Sequence, residues 1–163
     1  MKRSVKRIAH LSESDSMNLN YTSLQEMSEV EDISNKFYRT CVCALQSAKG
    51  LSNSGNFRVY ACVLDRKTIS VGGGNSLKTH PLGSNTRMNG LHAEMKVVSQ
   101  CKGNLRGKTI LVVRYRIRGP GLAAPCDLCA AMLKDEGVKK VYFTLSQSWE
   151  EFALAPKIGV VFL

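Results

Sequence analysis

The sequence predicts an α/β sandwich with a mixed sheet of about five strands, and three observations predict it. Helical and strand-like periodicities come in the order helix, two strands, then alternating helices and strands. The run Thr109-Ile110-Leu111-Val112-Val113 is apolar without alternation, the mark of a strand covered on both faces. At 163 residues and 44% hydrophobic, the chain can bury one substantial core, so a single domain accounts for it.

Residues 1–27 are rich in Ser, Asn, Met and acids with weak periodicity, which predicts a flexible or loosely docked polar arm ahead of a domain at 28–163. Ser28-Glu29-Val30-Glu31 reads as a capping box, a serine and a glutamate three residues on satisfying each other's backbone N–H groups, and so starts a helix. Val30, Ile33, Phe37, Cys41, Ala44 or Leu45, and Ala48 recur at helical spacing, and Gly50 ends that helix. Phe57 to Leu64 predicts a strand that turns at Asp65-Arg66 into a second strand around Thr68 to Val71. Gly72-Gly73-Gly74-Asn75 then opens a long loop to Asn89 and lacks the Lys-Ser/Thr of a Walker sequence. A helix from about Gly90 to Cys101 follows, with Gly103 just past its end, and then the apolar strand at 109–113. Beyond a loop through Gly119-Pro120-Gly121, Pro125 is expected at the first helical position, where its missing N–H costs nothing, and that helix runs through Cys126, Cys129, Met132 and Leu133 to Gly137. Val138 to Thr144 reads as a strand, Ser148-Trp149-Glu150-Glu151 as the cap of a short helix, and Ile158 to Phe162 as a last strand.

The net charge of +10 is uneven: residues 1–7 carry +4, residues 8–35 carry −6 with no Lys or Arg, and residues 36–163 carry +12. Such an excess favours anionic partners, nucleotides or nucleic acid, and also serves as an ordinary solvated surface. No apolar run approaches bilayer-spanning length and the N-terminus lacks the apolar centre of a signal peptide, so a soluble cytoplasmic protein without a membrane partner is expected. Cys41, Cys43, Cys62 and Cys101 sit among apolar residues, where a thiol packs as a small hydrophobe, and only Cys126 and Cys129 have ligand spacing; a reducing compartment fits.

His92-Ala93-Glu94 and Pro125-Cys126-Asp127-Leu128-Cys129 are separated by 30 residues. One imidazole and two thiolates make three zinc ligands of the catalytic type, because three protein groups leave a fourth position for water. Cys126 and Cys129, three residues apart at the start of a helix, share one face, and the helix's N-terminal partial positive charge favours their thiolates. Zinc so held lowers the pKa of water toward neutrality. Glu94, two residues after His92, points away from it around a helix, which suits a carboxylate beside the metal rather than on it. Its expected role is proton shuttle, taking a proton from water, passing it to the ring nitrogen next to the attacked carbon, and delivering one to the departing amine. An amidine-like ring carbon, as at C4 of cytosine or C6 of adenine, suits this apparatus. A structural zinc would need a fourth ligand from Cys101 or His80, and neither stands at a paired spacing. Arg114, Arg116 and Arg118 alternate along the end of a strand toward the pocket mouth, suited to phosphate or strand binding or to a charged sheet edge. Tyr115 and Trp149 read as stacking or packing residues, and His80 as a loop residue, with a substrate contact as its lesser alternative.

His-x-Glu followed by Pro-Cys-x-x-Cys is the signature of zinc nucleobase deaminases. Residues 57–144, and more loosely 28–163, resemble the cytidine/deoxycytidylate deaminase superfamily, which includes APOBEC-type and TadA-type enzymes. The resemblance implies a three-layer α/β/α fold with the two zinc helices side by side under the sheet, one Zn2+, and a homo-oligomer. It also implies that Asn75 touches the sugar of the substrate and that the Ala93 backbone meets the pyrimidine carbonyl; Arg116 and Arg118 are expected as further substrate contacts from their place at the strand end. The segment Asn75-Ser76-Leu77-Lys78-Thr79-His80-Pro81 is similar to the corresponding loop of phage- and large-virus-encoded deaminases of the dCMP type. Two departures bear on substrate choice: Ala123-Ala124 stands where many relatives carry Ser, Thr or Glu before Pro-Cys, and Glu94 continues into Met95-Lys96-Val97 rather than an Asn-Ala pair. The expected function is zinc-dependent hydrolytic deamination of cytosine to uracil in a pyrimidine nucleotide of the CMP or dCMP kind. The alternatives are the same chemistry on single-stranded DNA or RNA, a TadA-like adenine deaminase, and a non-catalytic zinc module that binds nucleic acid. Intact Glu94 argues against the last, since a purely structural site has no use for that carboxylate.

Overall fold

The computed structural model describes residues 5–7, 27–30, 33–51, 58–75 and 92–163. Along the chain they form β1 (Val5–Arg7), β2 (Met27–Val30), α1 (Asn35–Lys49), β3 (Arg58–Asp65), β4 (Thr68–Gly74), α2 (Ala93–Cys101), β5 (Thr109–Tyr115), α3 (Asp127–Asp135), β6 (Lys140–Thr144), α4 (Trp149–Leu154) and β7 (Ile158–Phe162). The strands make one sheet in the order β1-β2-β7-β6-β5-β3-β4. β5 and β6 run parallel, joined through α3, and the other pairs are antiparallel, so the sheet is mixed as expected.

Its five strands from β7 to β4 are those legible in the sequence, and β1 and β2 add two more at the β7 edge. Met27 pairs with Val161 and Val30 with Ile158, while Val5 pairs with Val30 on the outer side. Ser28-Glu29-Val30 is therefore strand and not the start of a helix. α1 begins seven residues later, capped by Ser34, whose hydroxyl accepts the Phe37 N–H at 3.2 Å. A serine followed three residues on by a glutamate fits a capping box, but the open backbone edge of β7 offered residues 27–30 a full ladder of partners. The periodic set Phe37, Cys41, Ala44, Leu45 and Ala48 is buried along α1 as its spacing requires.

β5 shows how the layers divide. Ile110 and Val112 pack with Ala93 and Val97 of α2 and Leu133 of α3. Leu111 and Val113 pack on the opposite face with Phe37, Cys41 and Leu45 of α1 and Phe152 of α4. Alternation sends successive side chains to opposite faces, so an unbroken apolar strand requires helices on both, and the result is the three-layer α/β/α sandwich. No helix among the described residues is long and apolar enough to cross a membrane.

β4 continues through the three glycines that the sequence suggested as the start of a loop. Tyr60 pairs with Gly74, and a Cβ at Gly74 would fall on the Leu51 side chain that crosses it, while Lys96 crosses Gly73 in the same way. The glycines leave the strand bare where neighbouring side chains lie over it. The rest of the expected loop, with His80 and the helix start at Gly90, lies outside the described residues. Gly159 in β7 is bare for the same reason, because the ring of its cross-strand partner Phe143 lies over it. Phe143 is fully buried and has nowhere to move. Gly159→Ala is therefore expected to destabilise the fold by about 1–3 kcal/mol or more, read as a lower urea midpoint; an unchanged midpoint would contradict this packing.

Candidate zinc centre

Both zinc-motif helices begin at a ligand. His92 is the N-cap of α2 and Cys126 the N-cap of α3, each with extended backbone and neither making a side-chain cap hydrogen bond. An N-cap is ordinarily a Ser, Thr, Asp or Asn whose oxygen satisfies a first-turn N–H. Here the capping positions hold groups that meet each other instead. Lys96 N–H donates to His92 O and Ala130 N–H to Cys126 O, so the first turns are closed by backbone alone. Pro125 consequently precedes α3 rather than opening it; the chain still needs an extended residue at Cys126 to turn its thiol toward His92.

α2 and α3 pack against each other, and their first turns bring three ligands together. His92 Nδ1 is 3.9 Å from Cys126 Sγ and 3.5 Å from Cys129 Sγ, and one donor atom from each of the three residues lies within 4.8 Å of the others. Zinc–sulfur bonds of about 2.3 Å and zinc–nitrogen bonds of about 2.0 Å in a tetrahedral arrangement put ligand atoms roughly 3.5–3.8 Å apart. The donor set and its spacing fit Zn2+. Cys101, half-buried against the core, is outside this cluster.

The electrostatics of the cluster follow from its contacts. A hydrogen bond from Cys129 lowers the Cys126 thiol to about 4 against the opposing effect of burial, and His92 adds to the lowering. Cys129 faces that thiolate from a fully buried position and is pushed up. The His92 imidazole is raised by its contact with Cys126, against burial. Two helix N-termini converge here, and their partial positive charge favours thiolate. Glu94 lies in the first turn of α2, 5% exposed. Burial pushes its carboxyl up, opposed by a hydrogen bond with Cys129 and by the nearby imidazole. The carboxyl is not among the three clustered donors.

The remaining expected residues are distributed as follows. Ala93 opens α2 fully buried beside His92, its N–H among the first-turn donors without a partner inside the helix. Asn75 directly follows β4: its Oδ1 accepts the Val59 N–H at 2.9 Å and its own N–H donates to Val59 O. Arg116 and Arg118 do not continue the strand alternation, because β5 ends at Tyr115. The chain instead makes an excursion closed by a bridge between Arg114 and Gly121. Tyr115 and Trp149 pack ring against ring, tilted by 37° with centroids 5.5 Å apart.

Thr144 is a residue the sequence reading passed over. Fully buried at the end of β6, its hydroxyl donates to Gly121 O at 2.6 Å and accepts the Arg114 N–H at 3.1 Å. Its carbonyl accepts the Ala123 N–H. Thr144 thus pins the segment that carries the chain to Cys126, and the signal for it is one hydroxyl at the end of an apolar strand.

A family model described as the cytidine and deoxycytidylate deaminase zinc-binding region matches residues 32–145. No protein of curated function matches the chain. Among solved structures, dCMP deaminase from the cyanophage S-TIM5 is similar at 22% identity and a TM-score of 0.46, over 69% of this chain and 86% of that one. Acinetobacter baumannii RibD is similar at 23% identity and a TM-score of 0.42, over 68% of this chain, and the match spans only 28% of the RibD chain. The family match encloses the whole zinc cluster and Glu94, and on it the chain belongs to the cytidine and deoxycytidylate deaminase zinc-binding family.

Proposed function

We propose that the protein hydrolyses the exocyclic amine of cytosine in a pyrimidine nucleotide of the CMP or dCMP kind, yielding the uracil nucleotide and ammonia. The observation that carries this reading is the buried Glu94 carboxyl held against the His92–Cys126–Cys129 cluster. When bound, zinc supplies the Lewis acidity that readies water at neutral pH. Glu94 moves the protons. It takes one from the attacking water and gives it to the ring nitrogen next to C4; it then takes the remaining proton of the new C4 hydroxyl and delivers it to the departing amine, so that the carbonyl forms, ammonia leaves and the carboxylate is restored. Burial raises its proton affinity, which suits a group that must both accept and return a proton. In this reading the Ala93 N–H meets the pyrimidine carbonyl, and Asn75, held by Val59, meets the sugar.

A second reading, cytosine deamination in single-stranded DNA or RNA, is favoured by the +12 charge of residues 36–163 and by the Tyr115–Trp149 ring pair with Lys49 Nζ 6.0 Å from the Tyr115 ring. Incubation of the zinc-loaded protein with cytidine, dCMP, dCTP and a cytosine-containing oligonucleotide, read by product mass, separates the two. Conversion of dCMP or CMP with modest salt dependence is expected. Conversion of the oligonucleotide alone, falling steeply with salt, would replace the first reading by the second.

A further inference from the structure

We propose that Arg116 and Arg118, with the Ser148 hydroxyl, form a phosphate-binding pocket that serves the deaminase substrate, an inference that rests on the deaminase reading. The excursion from Tyr115 to Pro120 is closed by Gly121 N–H donating to Arg114 O at 2.9 Å. It is stitched to the segment after β6: Gln147 N–H donates to Pro120 O, Trp149 N–H to Arg118 O, and the Trp149 indole N–H to Ile117 O at 2.8 Å. Gly119, at φ 145°, lies so close that a Cβ there would overlap the Gln147 carbonyl, so the two segments meet backbone to backbone. Beside that seam opens a shallow pocket of about 220 Å³ lined by Arg116, Arg118, Ser146, Gln147, Ser148 and Glu151.

The lining is set up for an oxyanion. Arg116 donates from Nε to Gly119 O and from Nη2 to Pro120 O, which fixes the guanidinium plane and uses two of its five N–H donors. Arg118 is exposed. Ser148 Oγ accepts the Glu151 N–H, which leaves the hydroxyl proton as a donor. Gln147 is spent on the fold, its amide donating to Ala155 O and its carbonyl accepting the Lys157 N–H, so it serves as a wall. Against two guanidinium groups the lining sets one carboxylate, Glu151, and the pocket keeps a net positive charge. It lies where β5 and β6 end, on the segment that continues through Ala123 to Cys126. A phosphate bound there is held by the same piece of chain that delivers a metal ligand. A guanidinium plane with parallel donors matches phosphate geometry. The phosphate is either the monoester of a single nucleotide or a diester of a strand.

Trp149 is the one tryptophan of the sequence and adjoins Ser148, so its emission reports on this pocket. Zinc-loaded Glu94→Gln protein, which binds without turning over, is titrated with inorganic phosphate, cytidine, dCMP and a cytosine-containing oligonucleotide, by Trp149 emission and by calorimetry. Arg118→Gln is expected to weaken the phosphate-bearing ligands roughly ten- to hundredfold, and cytidine by less than about twofold. Glu151→Gln is expected to tighten the same ligands. Saturation by dCMP identifies a monoester, and saturation by the oligonucleotide alone a diester. Phosphate-bearing ligands that bind no better than cytidine, or that bind the Arg118→Gln protein undiminished, overturn the pocket. A wild-type protein that deaminates none of the cytosine substrates while its phosphate affinity still depends on Arg118 overturns the deaminase reading and spares the pocket.

Discussion

Glu94→Gln is expected to lower kcat by about 10²–10⁴-fold while the protein retains one zinc per chain. The amide keeps the shape of the carboxyl and its place against Cys129, but it cannot accept a proton from water or return one to an amine. Glu94 is outside the His92, Cys126 and Cys129 donor set proposed to hold the metal, so zinc content is expected to be unaffected. Turnover with the preferred cytosine substrate, measured beside metal analysis of the same sample, decides the matter. A variant that keeps its zinc and its rate removes Glu94 from the reaction. One that loses zinc along with its rate makes Glu94 a support of the cluster.

Cys129→Ser is expected to cost both metal and activity. Cys129 is fully buried in the first turn of α3, within 3.5 Å of the His92 nitrogen, and contacts Glu94 as well. A hydroxyl ionises far less readily than a thiol and binds zinc poorly. Because the metal binds the folded protein, its loss also lowers the melting temperature. Exhaustive dialysis followed by metal analysis should find no stoichiometric zinc in this variant, with deamination below detection. Cys101→Ser, altered outside the cluster, should keep both; zinc retained by Cys129→Ser, or lost from Cys101→Ser, would mean a different ligand set.

The centre was legible in the sequence because its parts are local. His92 and Glu94 share one helix turn, Cys126 and Cys129 another, and short-range spacing fixes how each pair is presented. What joins the pairs is the packing of two helices on one face of an apolar sheet, and the unbroken run at 109–113 announced that sheet. Misreadings arose where a distant partner decided the outcome. Ser28 to Val30 fits a capping box locally and became strand because β7 lies beside it. The three glycines fit a loop and became strand because Tyr60, Leu51 and Lys96 use the space their missing side chains leave. Arg118 left its expected place on β5 because hydrogen bonds from Gln147 and Trp149 hold residues 117–120 in a turn of their own. Ser146 escaped notice, and Ser148 and Glu151 were legible only as a helix cap, since nothing near them in sequence points to Arg116.

The pairing of β2 with β7 bears on how the molecule is made. Residues 27–30 leave the ribosome early, and their partners at 158–162 follow only after roughly 130 more residues, on the order of ten seconds at ordinary translation rates. The segment from 92 to 129, which holds every zinc ligand, and strands β3 to β6 emerge within that interval. The metal centre can therefore be assembled while the sheet is still open at β7, and closing that edge is left as a late step. Until then β2 has only β1 beside it and its other edge stays open, in a stretch whose serines and acids give a nascent chain little tendency to stick.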